Sequence, residues 1–247
     1  MGYLPVGFPD VAGSIDAMVA MVEAGVDIVE IGIPYTDPLM DGPVIAHAAD
    51  VALERGVRIK DVFTAVRAVA DAGAPALVMT YWNPVLRYGV DRFALELAKA
   101  GGAGLITPDL IPDEGAEWMA AAERNDLDHV FLVAPSSTPQ RLRSTASACT
   151  GFVYAASSMG VTGARSTVGD AAAVLVTRTR LMTDLPICVG LGVSSGAQAA
   201  QVAAFADGVI VGSALVRALA DAGTPGEGLT AIRKLSAELA AGVREGR

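Results

Sequence analysis

One recurring unit limits what this chain can fold into more than any other feature. An alanine-rich amphipathic helix ends in Ala-Gly or Asp-Gly, and a short apolar strand follows at once. The unit is read at Ala24-Gly25 before Asp27–Ile33, at Ala72-Gly73 before Ala76–Trp82, at Ala100-Gly101 before Gly104–Thr107, and at Asp207-Gly208 before Val209–Gly212. A glycine is wanted there because the residue after a last helical turn often turns left-handed, a conformation glycine enters at little cost. The strands are continuous apolar runs rather than alternating ones. That pattern belongs to parallel strands covered by helices on one face and by a core on the other.

Eight strands are predicted: Tyr3–Phe8, Asp27–Ile33, Ala76–Trp82, Gly104–Thr107, His129–Ala134, Gly151–Ala156, Ile187–Val193 and Gly208–Gly212. Helices fit between them at Ser14–Ala24, Lys60–Ala72, Arg92–Ala100, Glu114–Asn125, Pro139–Ala148, Asp170–Met182, Ala197–Phe205 and Ser213–Ala220, with a last helix at Gly228–Val243. Alternating βα units with right-handed crossovers close into a (β/α)8 TIM barrel, an α/β fold that uses residues 1–247 as one domain. An open doubly wound sheet is the alternative. It lacks its dinucleotide fingerprint, because Gly7-Phe8-Pro9-Asp10 follows the first strand instead of a GxGxxG turn.

Composition removes several function classes. With 52% hydrophobic and 18% charged residues the chain is not intrinsically disordered. Its 18 basic against 27 acidic side chains, a net charge of −9, with no basic block, argue against a nucleic-acid partner or an anionic membrane surface. The uncharged run Leu185–Ala206 is long enough to span a bilayer, but Pro186, Gly190, Gly192 and Gly196 make it a strand, a turn and a helix. Cys149 and Cys188 cannot build a disulfide framework, and His47 and His129 do not make a metal cluster. A reduced, cytoplasmic, metal-poor globular protein is expected.

Barrel chemistry sits at the C-terminal ends of the strands. The second strand carries Glu30 among Val29, Ile31 and Ile33. A carboxylate is seldom buried without a reason, and apolar surroundings raise its pKa toward the range useful for proton transfer. It is either an acid/base group or a structural carboxylate paired with a nearby donor. Asp37 and Asp41 follow in the loop Tyr35–Pro43, as turn formers or as the second member of a two-carboxylate site. Gly190–Ser195 and Val211–Leu215 lie where such barrels hold phosphate on backbone amides, with Ser213 able to cap a helix and bond an oxygen. Ser157–Arg165 is a small-residue loop suited to closing over a ligand. Lys60, Lys99 and Lys234 all fall in helices, so no strand-end lysine forms an imine.

The run Glu30-Ile31-Gly32-Ile33-Pro34-Tyr35-Thr36-Asp37-Pro38-Leu39-Met40-Asp41-Gly42-Pro43 resembles the signature of the tryptophan synthase α-subunit family. Tyr81-Trp82-Asn83-Pro84, Tyr154 with Gly160-Val161-Thr162-Gly163, Gly190–Ser194 and Gly212-Ser213-Ala214 support it, and the likeness runs from about Gly2 to Val216. The resemblance implies cleavage of indole-3-glycerol phosphate to indole and glyceraldehyde 3-phosphate. It implies Glu30 as acid/base and Asp41 as acceptor of the indole N–H. It places Tyr3, Met79, Tyr81, Tyr154 and Leu191 around the indole, and Gly163, Gly192, Gly212 and Ser213 at the phosphate. Asp37 matches a loop acid that signals to the partner, a β subunit that carries pyridoxal phosphate in an αββα heterotetramer, with no cofactor in this chain. Two departures stand out: the family's helix ahead of the first strand has no counterpart before Tyr3, leaving the barrel floor uncovered, and Leu191 stands where relatives commonly have an aromatic. Other phosphate-binding barrels remain as alternatives, but the missing lysine argues against an indole-glycerol-phosphate synthase. Intact Glu30 and Asp41 argue against a non-catalytic binding barrel.

Overall fold

A computed structural model describes residues 1–156, 170–190 and 192–247. Its elements run β1 (Gly2–Pro5), α1 (Val11–Glu23), β2 (Val29–Gly32), α2 (Pro43–Glu54), α3 (Ile59–Asp71), β3 (Ala76–Met79), α4 (Trp82–Tyr88), α5 (Val90–Lys99), β4 (Gly104–Ile106) and α6 (Ala116–Arg124). There follow β5 (Asp128–Val130), β6 (Leu132–Val133), α7 (Pro139–Ala148), β7 (Val153–Ala156), α8 (Asp170–Arg180), β8 (Ile187–Gly190), α9 (Gly196–Ala203), β9 (Gly208–Ile210), α10 (Ser213–Ala220) and α11 (Pro225–Glu245). All strand pairs are parallel, in the orders β1-β2-β3-β4-β5 and β6-β7-β8-β9.

Two joints close these sheets into one barrel. Gly2 bridges Val211, with Tyr3 N donating to Val211 O at 2.8 Å and Val211 N to Met1 O at 3.1 Å. On the other side β5 and β6 are one stave interrupted at Phe131. Phe131 N donates to Cys149 Sγ at 3.3 Å instead of to a neighbouring strand, and there the stave changes partner from β4 to β7. Counted so, the described residues make eight staves. The (β/α)8 barrel expected from the repeat is the fold.

Strand alternation sorts the side chains into two cores. Leu4, Val29, Ile31, Val78, Leu105, Val153 and Val189 face the helix layer. Leu77, Ile106, Val130, Phe152, Tyr154, Cys188 and Ile210 pack together inside the barrel. Direct pairing carries the inward set around the ring: Tyr3 opposes Glu30, and Glu30 opposes Leu77. At the N-terminal end of the staves lies a cavity of about 500 Å³ lined by Met1, Ile28, Leu77, Val130, Phe152 and Cys188 among others.

Two helices were not expected. α2 begins at Pro43, the first-turn position a proline suits because its missing N–H would be unpaired there. α4 begins at Trp82, so β3 ends three residues before the predicted strand does. The run Leu185–Ala206 holds β8 and α9, and no helix of the described residues is long and apolar enough to cross a membrane.

Candidate active site

Glu30 sits in β2, where all four residues are buried, and its own exposure is 0%. Neither carboxylate oxygen has a hydrogen-bond partner among the described residues. Desolvation therefore raises its carboxyl from 4.5 to about 7, against a smaller opposing pull from the Met1 ammonium group. A carboxyl with that value changes protonation easily near neutral pH.

Glycines make room for two phenols near it. The next inward position on β2 is Gly32, where an added Cβ would collide with the Tyr3 hydroxyl. Gly190 plays the same part opposite Tyr154, since a Cβ there would stand 2.6 Å from Tyr154 Oη. Burial raises the pKa of both phenols, so each stays a neutral hydrogen-bonding group. Tyr3 feels the charges of both Asp41 and Glu30, and Tyr154 that of Glu30, which places the phenols beside the acids. Met79, at the end of β3, lies against the same inner cluster.

Asp41 reaches the mouth from the β2–α2 loop. Its Oδ1 accepts a hydrogen bond from the Tyr81 hydroxyl at 2.9 Å, and that hydroxyl accepts one from Met40 N at 2.9 Å. Partial burial raises the Asp41 carboxyl and the Tyr81 hydrogen bond lowers it, burial being the larger effect. Asp37 lies farther out on the same loop, exposed, with Thr36 Oγ1 donating to it at 2.5 Å. Leu39 beside it is 72% exposed.

The phosphate candidates lie after β8 and β9. Gly192 has φ +63, a left-handed conformation suited to glycine, in the turn before α9. Gly212 is the N-cap of α10, and Ser213 is that helix's first residue, one position inside the cap expected for it. The Ser213 side chain is buried and the backbone N–H groups of the first turn point out of the helix end, as an anion requires. Gly163, Leu191 and the loop Ser157–Arg165 lie outside the described residues.

Three neighbours escaped the sequence reading. Asp109, in the β4–α6 loop, accepts Trp82 N on both carboxylate oxygens at 2.9 and 3.1 Å and so caps α4 from another loop. Tyr35 packs its ring 5.5 Å from that of Tyr81, and its hydroxyl accepts a bond from Asn83 Nδ2 at 3.0 Å. Pro108-Asp109 and Asn83-Pro84 mark turns at these places but not their partners. His47 is exposed on α2, Cys149 and Cys188 are buried free thiols, and no metal-binding group of acids, histidines and cysteines occurs among the described residues.

Comparison with known proteins places this arrangement. The family profile of the tryptophan synthase alpha chain matches residues 1–244. A tryptophan synthase alpha chain from Mycobacterium avium is 64% identical over 245 residues, 99% of this chain and 89% of that protein. A solved structure of Mycobacterium tuberculosis tryptophan synthase superimposes with a TM-score of 0.93 at 62% identity, covering 98% of this chain and 91% of the other. An aminoacrylate-bound form from the same organism gives 0.89 at 59%, covering 98% and 92%. With the profile spanning nearly every residue and the barrel matching at that level, the chain belongs to the tryptophan synthase alpha chain family.

Proposed function

We propose that Glu30 and Asp41 together carry out the cleavage of indole-3-glycerol phosphate to indole and glyceraldehyde 3-phosphate, the lyase step of tryptophan biosynthesis that falls to this family. The observation that carries the reading is Glu30: a fully buried carboxyl with no hydrogen-bond partner among the described residues, titrating near 7, with the Tyr3 hydroxyl admitted at the next inward position only because Gly32 has no side chain.

The chemistry needs a group that gives one proton and takes another. Indole leaves poorly as a carbanion, so carbon 3 of the ring is protonated first. Glu30 gives that proton, and the ring takes positive charge that Asp41 stabilises by accepting the indole N–H. The bond from carbon 3 to the side chain then breaks as Glu30, now ionised, takes the proton of the adjacent hydroxyl. The side-chain carbon becomes the aldehyde, the bonding electrons restore the neutral ring, and Glu30 ends protonated as it began. Tyr3, Met79, Tyr81, Tyr154 and Leu191 surround the indole, and Gly163, Gly192, Gly212 and Ser213 hold the phosphate. No step calls on a metal or a cofactor of this chain.

The partner in this reading is a tryptophan synthase β subunit, which brings pyridoxal phosphate in its own site, forms an αββα heterotetramer and receives the indole. Asp37, exposed on the loop that carries Asp41, serves the coupling between the subunits. The complex works in the cytoplasm, and residues 1–247 of this chain form one barrel domain. The experiment is an assay of the purified chain with indole-3-glycerol phosphate, with and without β subunit, following both products. Glu30→Gln keeps the shape and removes the acid, so turnover is expected to fall by about 10²–10⁴. Near-wild-type turnover in a folded Glu30→Gln variant excludes the reading.

A further inference from the structure

The loop between β2 and α2 carries Asp41, and both of its halves are fastened to the start of α4. Its later half is held by Tyr81, whose hydroxyl uses its donor on Asp41 Oδ1 and its acceptor on Met40 N. The direction of the Asp41 carboxylate therefore follows the position of the Tyr81 ring. Its earlier half is held by Asn83, which donates to the Tyr35 hydroxyl at 3.0 Å across 48 residues of sequence. The Tyr35 ring in turn packs on Tyr81, 5.5 Å between centroids with 35° between the planes. The base of this chain is rigid, because Asp109 caps Trp82 N and Val85 anchors the helix with 0% exposure.

We propose that Asn83 is a positioning residue for Asp41, acting through the Tyr35 hydroxyl and the Tyr35–Tyr81 ring contact. The inference rests on the reading of Asp41 as part of the acid/base pair. A plain surface hydrogen bond between Asn83 and Tyr35 would contribute little, since water competes for both groups. What distinguishes this one is its place between a capped helix and the loop that carries Asp41, whose outermost residues, Thr36 and Asp37, bond to each other. Without the Tyr35 anchor, Tyr81 loses the ring that packs against it, and the carboxylate it directs gains freedom. Catalytic groups held loosely lose rate in the chemical step rather than affinity.

The test uses the chain with saturating β subunit and compares Tyr35→Phe, Asn83→Ala and the double variant. Each single change is expected to lower kcat by about three- to tenfold, the loss of one modest hydrogen bond's worth of positioning. The double variant should lose no more than either single one, because both cut the same link. KM should move by less than about twofold, since the phosphate end of the mouth is untouched. In an Asp41→Asn background Tyr35→Phe should have no further effect. An unchanged kcat in the two single variants overturns the proposal, as does an equal Tyr35→Phe loss in the Asp41→Asn background. So does a loss in Asn83→Ala that appears only as weaker β-subunit binding in a parallel titration. Where Asp41→Asn turns over too slowly to measure, the KM values and the equality of single and double losses decide. Full turnover in Asp41→Asn itself removes the underlying reading instead, and that result is distinguishable from all the others.

Discussion

A buried acid such as Glu30 makes both stability and rate depend on pH, and the directions follow from its environment. Its carboxyl titrates at about 7 in the folded chain and at 4.5 ordinarily. Between those values the folded chain holds a proton that the unfolded chain has released, so stability falls as pH rises from 4.5 to about 7 and is flat beyond. At 1.36 kcal/mol per pH unit the loss is about 3 kcal/mol. Glu30→Gln abolishes this titration. The melting temperature of the variant, measured relative to wild type, should therefore climb from pH 4.5 to pH 8, and a constant difference across that range would contradict a raised pKa. Because Glu30 begins the reaction protonated, kcat/KM should decline on the alkaline side with a midpoint at about pH 7. A profile flat through that region would place the proton elsewhere. Glu30 is legible in the sequence because a lone acid inside an apolar strand stands out. Asp109, Tyr35 and Asn83 are not, because their bonds join segments that follow three different strands and no local pattern records such a meeting.

Elements show the same division between local and distant causes. The repeating helix-glycine-strand unit gives the barrel away, since each glycine and each apolar run is a local requirement. α4 is hidden because Trp82 continues an apolar run, and the cap that starts the helix there comes from Asp109. α2 is hidden because Pro43, after Asp41-Gly42, reads as turn punctuation as readily as a first-turn proline. Contacts between helices are equally silent. Gly242 in α11 lies so close to the Gly196 carbonyl of α9 that an added Cβ would collide with it, and one on Gly196 would come 2.7 Å from Glu238 O. Glycine to alanine inside a helix ordinarily stabilises by up to about 1 kcal/mol. Gly242→Ala should do the opposite and cost about 1–3 kcal/mol through overpacking, with kcat unchanged. Denaturant unfolding reads the sign, and stabilisation would mean that the two helices separate freely. At α10 the element itself is the proposed binding device. Gly212→Val adds bulk at its N-cap, where even a Cβ meets Tyr3 Cδ1 at 3.3 Å, and should raise KM for the phosphorylated substrate. If glycerol phosphate protects the variant from unfolding as well as it protects wild type, phosphate is held elsewhere.

For the whole molecule, what decides activity is how the mouth of the barrel is completed. The segment Pro34–Pro43, with three prolines, one glycine, small polar residues and few large apolar anchors, reads in the sequence as a loop with little to hold it. Its ends are in fact tied down by Asn83 and Tyr81, and between them Thr36, Asp37 and Leu39 are exposed, Leu39 by 72%. In the proposed assembly, a β subunit docking over the C-terminal ends of the strands would meet that stretch first. Its contact excludes water from the mouth and restrains the loop that carries Asp41, both of which favour the chemical step. Linkage makes the effect mutual: a substrate analogue bound in the barrel must tighten subunit association by the same factor by which the β subunit tightens the analogue. The isolated chain is therefore expected to be weakly active and to gain rate substantially when β subunit is added. Asp37 is exposed on the outer part of this loop and makes no bond to the barrel body among the described residues. Asp37→Ala should then reduce the activation by β subunit more than the basal rate of the chain alone. Both rates are measured in one assay, with subunit binding confirmed by titration. Equal losses in the two would assign Asp37 to the chemistry or the fold, whereas a loss confined to the activated rate assigns it to the coupling.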